Sequence, residues 1–235
     1  MQFSLKRVNA IFIKDWKDLQ RNSYVIFTLA IPLLFAALLG RMGEGNGVFS
    51  TLPINLSLVI AGAFIQAAMV AEEKEKNTLR GLLLSPANTV EIFVGKSALS
   101  AIMTVLVIIE SIFLSEFKVP SPLLFIISVL LGLVFYIAVG TILGLLSRTV
   151  METSIIGMPV LVVFGMGSMF KTMLENEFLL KVITYLPNEQ LDMIWAGLAN
   201  GENLSGIFEN ILILLVWVVL SVIATIIIYK RRRID

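Results

Sequence analysis

Glu72-Glu73-Lys74-Glu75-Lys76 is the densest run of charge in this chain, and it directly follows the apolar stretch 52–71. Carboxylates alternating with lysines can form ion pairs or an electrostatic anchor, but they make a poor catalytic centre without a proton shuttle. No His and no Cys occur among the 235 residues. Their absence removes thiolate metal sites, thiol redox chemistry and the commonest general base. An intramembrane enzyme would then need paired Asp or a Ser-Lys couple within its apolar segments, and neither is present. Gly95-Lys96-Ser97 has the ending of a phosphate-binding loop. Val90 stands where that loop needs its first Gly, however, and the bulky or acidic Glu91, Ile92, Phe93 and Val94 leave backbone amides no room to cradle phosphate. No nucleotide, metal or other cofactor is expected on this chain, and catalytic residues are expected to be none.

The elements that position these residues follow from composition. The chain is 57% hydrophobic and 15% charged, against about 25% charged for ordinary soluble domains. Apolar runs at 23–39, 52–71, 97–114, 122–146, 154–170 and 207–229 each approach the length of about 20 residues that a membrane-crossing helix needs. Pro32 and Pro159 offer possible kinks in the first and fifth. With both termini in the cytoplasm, the inner segments carry 14 of the 18 basic residues; the outer ones carry only Arg41, Lys118, Lys171 and Lys181. That asymmetry predicts a multi-pass cell-membrane protein with its N- and C-termini inside. Before the first span, Leu5, Val8, Phe12, Trp16 and Leu19 recur at helical spacing, with Lys6, Lys14, Lys17, Asp18 and Arg21 elsewhere. This pattern predicts an amphipathic helix along the membrane surface over 1–22. Tyr185, Trp195 and Trp16 are candidate interfacial anchors. The net charge of +1 is not gathered in a basic stripe, so nucleic acid is not an expected partner.

Two connections are long. The first, 72–96, reads as a charged turn, then a short helix with apolar Leu79, Leu82 and Leu83, then a Ser85-Pro86 stop. An apolar knob too short to span needs a surface that buries it. Glu73-Lys74-Glu75, Asn77-Thr78-Leu79, Leu82-Leu83, Ser85-Pro86, Glu91 and Gly95-Lys96 together resemble, in order and spacing, the segment between the second and third helices of type-2 ABC exporter permeases. Six spans, a leading amphipathic helix and Leu186-Pro187 before the last span agree with that family. Asn77 stands where Gly is usual and Arg80 where an acid is usual. Asn tolerates the left-handed turn, whereas Arg80 alters the charge offered to a partner.

The resemblance implies an all-α membrane protein: a single transmembrane domain over 1–235, with six spans after an interfacial helix and short re-entrant helices within 171–206. It further implies a non-enzymatic permease subunit that pairs with a second permease subunit, as homodimer or heterodimer. An ABC ATP-binding subunit would carry ATP and Mg. In that reading 72–96 is the coupling loop: Leu79, Leu82 and Leu83 enter the ATPase, Asn77 or Thr78 caps the short helix, and Glu72, Glu73 and Glu75 anchor the turn to Lys14, Lys17 and Arg21. Cargo of this family points to antimicrobial or other amphipathic peptides, or drugs. Glu110 in the third span and Gln66 in the second are candidate substrate-path groups, because polar side chains inside a membrane are costly. Glu110 equally suits a reach to the outer headgroups. Gly140 and Gly144 form a small-residue pair that points to close packing within the subunit. Two other classes remain open. A non-transporting immunity or sensor protein could share this architecture, and an ion-coupled transporter would need more intramembrane charge than Glu110.

Overall fold

Asn22 splits the N-terminal region into two helices. A computed structural model describes residues 3–40, 47–76, 88–171 and 174–232. In it α1 (Leu5–Arg21) ends at Asn22, whose side chain accepts from the Val25 N–H at 3.3 Å and starts α2 (Ser23–Leu39). The two meet at 84°. The stripe of α1 that packs inward is Ile11, Asp15 and Leu19, whereas Leu5 and Trp16 on its apolar side are exposed. Gly95 lets α1 approach closely, since a Cβ there would lie 2.9 Å from the Cβ of Ile11.

The second span is the axis of the bundle. It runs as α3 (Gly47–Ser57), a π-helical segment (Leu58–Phe64) and α4 (Ile65–Glu75). Some 89% of its apolar window is buried inside the protein, against 17% for the last span. Around it stand α5 (Thr89–Leu114), α6 (Pro122–Leu146), α7 (Val150–Phe170) and α10 (Leu204–Arg232). Among the described residues five helices are long and apolar enough to cross a membrane, and α2, with 17 residues and its bent partner, makes a sixth if the pair is one span. The protein is therefore an all-α membrane protein. Pro32 and Pro159 sit inside continuous helices. Between α7 and α10, α8 (Glu177–Thr184) stays at the edge while α9 (Pro187–Ala199) is tucked among α3, α6, α7 and α10.

Three sequence expectations change. The charged run 72–75 is the last turn of α4 rather than a loop, because Glu73, Lys74 and Glu75 all find partners that hold the helix there. The third helix begins at Thr89, ahead of the apolar stretch, because Asn88 and Glu91 form a reciprocal capping box. Trp195 is no interfacial anchor: it is 1% exposed and its indole N–H donates to Ser128 Oγ at 2.9 Å.

The Gly140–Gly144 pair packs α6 on the axial helix. A Cβ at Gly140 would meet the Ala63 carbonyl oxygen at 2.2 Å, and one at Gly144 the Ala67 oxygen at 2.6 Å. Gly140→Ala is expected to lower the thermal midpoint in detergent, by the equivalent of about 1–3 kcal/mol for overpacking. Gly157→Ala, whose Cβ meets nothing nearer than 3.7 Å, serves as the neutral control. Equal midpoints for the two variants would contradict this packing.

Candidate functional site at the roots of the 77–87 loop

Asn77, Thr78, Leu79, Arg80, Leu82, Leu83, Ser85 and Pro86 lie outside the described residues, and the structure speaks to where their segment is rooted. It leaves α4 at Lys76 and returns at Asn88. Both roots are tied to α1.

At the first root the buried Glu73 carboxylate receives Lys14 Nζ of α1 at 2.6 Å and Lys96 Nζ of α5 at 2.7 Å. Lys96 also faces Asp15 Oδ2 at 3.5 Å. Asp15, Glu73 and Lys96 are each at most 5% exposed, so this is an ionic cluster shielded from solvent rather than a surface pair. Burial pushes the Asp15 carboxyl above its ordinary range, although Lys96 pulls it back. Lys14 is opposed by burial too, but its hydrogen bond to Glu73 and the carboxylates around it hold its pKa above normal. At the second root the Glu91 carboxylate accepts four donors: the Ser4 N–H at 2.6 Å, Arg7 Nε at 2.9 Å, Arg7 Nη2 at 2.7 Å and the Asn88 N–H at 2.8 Å. The first turns of α1 and α5 are thereby joined through one side chain.

The same end of α4 reaches the other helices. Lys74 Nζ donates to the carbonyls of Leu145, at 2.6 Å, and Ser147, and Glu75 Oε2 accepts the Val150 N–H at 3.1 Å. Lys74 and Glu75 thus hold the junction between α6 and α7. Glu72 pairs with Lys76 one turn on. Of the three acids expected to face α1, only Glu73 does so. Lys17 and Arg21 form no ion pair among the described residues. Arg7, Asp15 and Lys96 were not legible as partners, though the Asn88-to-Glu91 spacing is a readable helix-start signal.

With this geometry in view, comparison with known proteins is decisive. Residues 46–227 match the family described as ABC-2 family transporter protein. The chain belongs to the ABC-2 transporter family. No curated protein matches it at a significant level. The family assignment makes this a multi-pass ABC permease, the membrane-spanning part of a system whose ATP-binding subunit is a partner. The match includes both loop roots, α3 to α9 and most of α10, and leaves out α1 and α2.

Two further sequence candidates occupy different settings in this ABC-2 permease. Gln66 is 1% exposed; its Nε2 donates to Thr141 Oγ1 at 3.0 Å and its Oε1 accepts from Ser100 Oγ at 2.7 Å, so it ties α4 to α5 and α6. Glu110 is exposed on the outward side of α5, whereas its neighbour Ser111 is buried and lies 3.2 Å from Ser57 Oγ on the axis. The two candidates do not share a path through the subunit.

Proposed function

We propose that this permease is the membrane half of an ATP-driven exporter, with the 77–87 loop as the element that a separate ATP-hydrolysing subunit grips. The supporting observation is that both roots of this loop are fixed to α1, and the first root also to the α6–α7 junction, by buried or multiply bonded charges. A loop that only joined two spans needs no such bracing. Here a displacement of the loop moves α1, α4, α5 and the α6–α7 corner together. Removing one member of a buried ion pair costs about 3–5 kcal/mol, so the cluster transmits force as a unit rather than yielding.

The loop and both chain termini face the cytoplasm in this reading, in line with the Lys/Arg asymmetry. Leu79, Leu82 and Leu83 are buried in the ATPase groove. A second permease subunit completes the path, and ATP and Mg stay on the partner. ATP biases inward against outward opening only through contacts that differ between the two states. Glu110, exposed at span depth, faces the second subunit or lipid. The cargo is amphipathic or hydrophobic, a peptide or drug, and α9 closes the exit.

Reconstitution of the permease with its ATP-binding subunit tests this. Amphipathic peptides are expected to stimulate ATP hydrolysis and to be pumped out of the compartment on the loop side. ATPase that co-purifies but neither responds to cargo nor moves it would favour an immunity or sensor role, and failure of any ATPase to co-purify would overturn the reading.

A further inference from the structure

At the end of the bundle opposite the loop, a cavity of about 470 Å³ opens between α3, α7, α9 and the turn after α5. Phe117, Trp195, Ala196 and Asp192 are among the residues that line it. The carboxylate of Asp192 collects neutral donors only: Ser168 Oγ at 2.6 Å, Asn55 Nδ2 at 2.8 Å and the Thr51 hydroxyl. Asn188 Nδ2 in turn donates to Ser168 Oγ at 3.1 Å, so the hydrogen bonds all run toward that carboxylate. Among the described residues no Lys or Arg lies within ion-pairing distance of it. Lys171, on the same wall, is taken by Glu189. The remaining charged or titratable neighbours are Lys118, which lines the cavity, and the Tyr136 phenol on α6; α3 presents only hydroxyls and an amide.

A carboxylate held by neutral dipoles in a half-apolar cavity, with no Lys or Arg among the described residues within ion-pairing distance, favours a positive group beside it. The cavity is far larger than a bare metal ion needs, and much of its wall is aromatic or aliphatic. Aromatic faces also attract organic cations. We infer that this cavity binds an organic ammonium group carried on an apolar body, with Asp192 as its counter-ion. As a statement about cargo this rests on the transport reading above. As a binding site it stands on the cavity itself, and the experiment below uses neither nucleotide nor ATPase, so the two fail separately.

Burial raises the Asp192 carboxyl to about 6, with the hydrogen bonds from Ser168, Thr51 and Asn55 limiting the rise. The group is therefore mostly ionised at pH 7.5 and mostly neutral at pH 5. Binding of a cation is present above pH 6 and lost as pH falls through it. The test is calorimetric titration of the full chain in nonionic detergent with phenylethylammonium, using neutral phenylethanol as control. Saturable binding of the cation alone is expected at pH 7.5, about tenfold weaker at pH 5. Asp192→Asn, which keeps the size of the side chain, is expected to bind at least about tenfold more weakly at pH 7.5 and without pH dependence. The wild-type pH profile stands even if that variant proves poorly folded. Added phosphatidylethanolamine that competes with the probe would identify a lipid ammonium as the natural occupant; lack of competition would assign the site to a soluble amphiphile. Equal binding of phenylethanol, a flat wild-type pH profile, or unchanged affinity in a folded Asp192→Asn protein would each overturn the inference.

Discussion

Lys96→Met should sharply reduce the stability of this permease, because Lys96 is the cation buried among α1, α4 and α5. Its ammonium lies 2.7 Å from Glu73 and 3.5 Å from Asp15 at 5% exposure. Without it two buried carboxylates lose the cation they share in the interior, and Lys14, which also faces both, is itself 40% exposed. Leaving buried charge uncompensated costs about 3–5 kcal/mol, enough to remove most of the marginal stability of a typical domain. The expected result is a large drop in thermal midpoint and in the monodisperse fraction after extraction. The sign with pH follows from Asp15. Its folded-state carboxyl is raised, so protonation favours the fold, and the Lys96→Met deficit should shrink as pH is lowered and grow as it rises through that pKa. The double variant Lys96→Met with Asp15→Asn should be more stable than Lys96→Met alone, since the two sites share one network. A single-variant loss below about 1 kcal/mol, the value of an exposed pair, would show that the cluster is not buried as described.

Leu82→Glu should have the largest effect on function and little on folding. In the proposed arrangement Leu82 is the centre of an apolar peg that enters the ATPase. A carboxylate there meets an apolar groove and must be desolvated, at a cost of several kcal/mol. Co-purification of the ATPase is expected to fall by at least about a hundredfold, since each 1.4 kcal/mol is tenfold in affinity, and ATP-dependent transport with it. Membrane insertion and thermal midpoint should stay at wild-type values. Retained co-purification with full transport would move the docking surface away from Leu82.

What was legible in the sequence divides along physical lines. The spans were readable because a bilayer imposes length and polarity on any helix that crosses it. The run from Leu52 to Ala71 is mostly apolar, with only Asn55, Ser57 and Gln66 as polar interruptions, and these did not disclose that this helix is the buried axis; that emerges from Gly140 and Gly144 pressing on Ala63 and Ala67. Lys14 and Glu73 were readable as partners because charge is scarce in this chain. Arg7 and Glu91 lie 84 residues apart, and no local spacing announces such a pairing. Glu72 and Glu75 carry the same chemistry as Glu73, yet helical phase turns one toward Lys76 and the other toward Val150. No local spacing singles out Asp192, whose setting depends on Ser168, Asn55 and Thr51 arriving from two other helices. Trp195 misled for a related reason: Trp suits both a headgroup boundary and a core, and Ser128 across the bundle selects the core.

The chain has no native cysteine, so a single Leu82→Cys reports on its own surroundings. Membrane-impermeant maleimide labelling of that variant in sealed vesicles of known orientation, with and without the ATP-binding subunit, tests the central claim most directly. The account predicts labelling only from the cytoplasmic side and strong protection once the ATPase is bound. Labelling from the external side, or equal labelling with and without the partner, would contradict it.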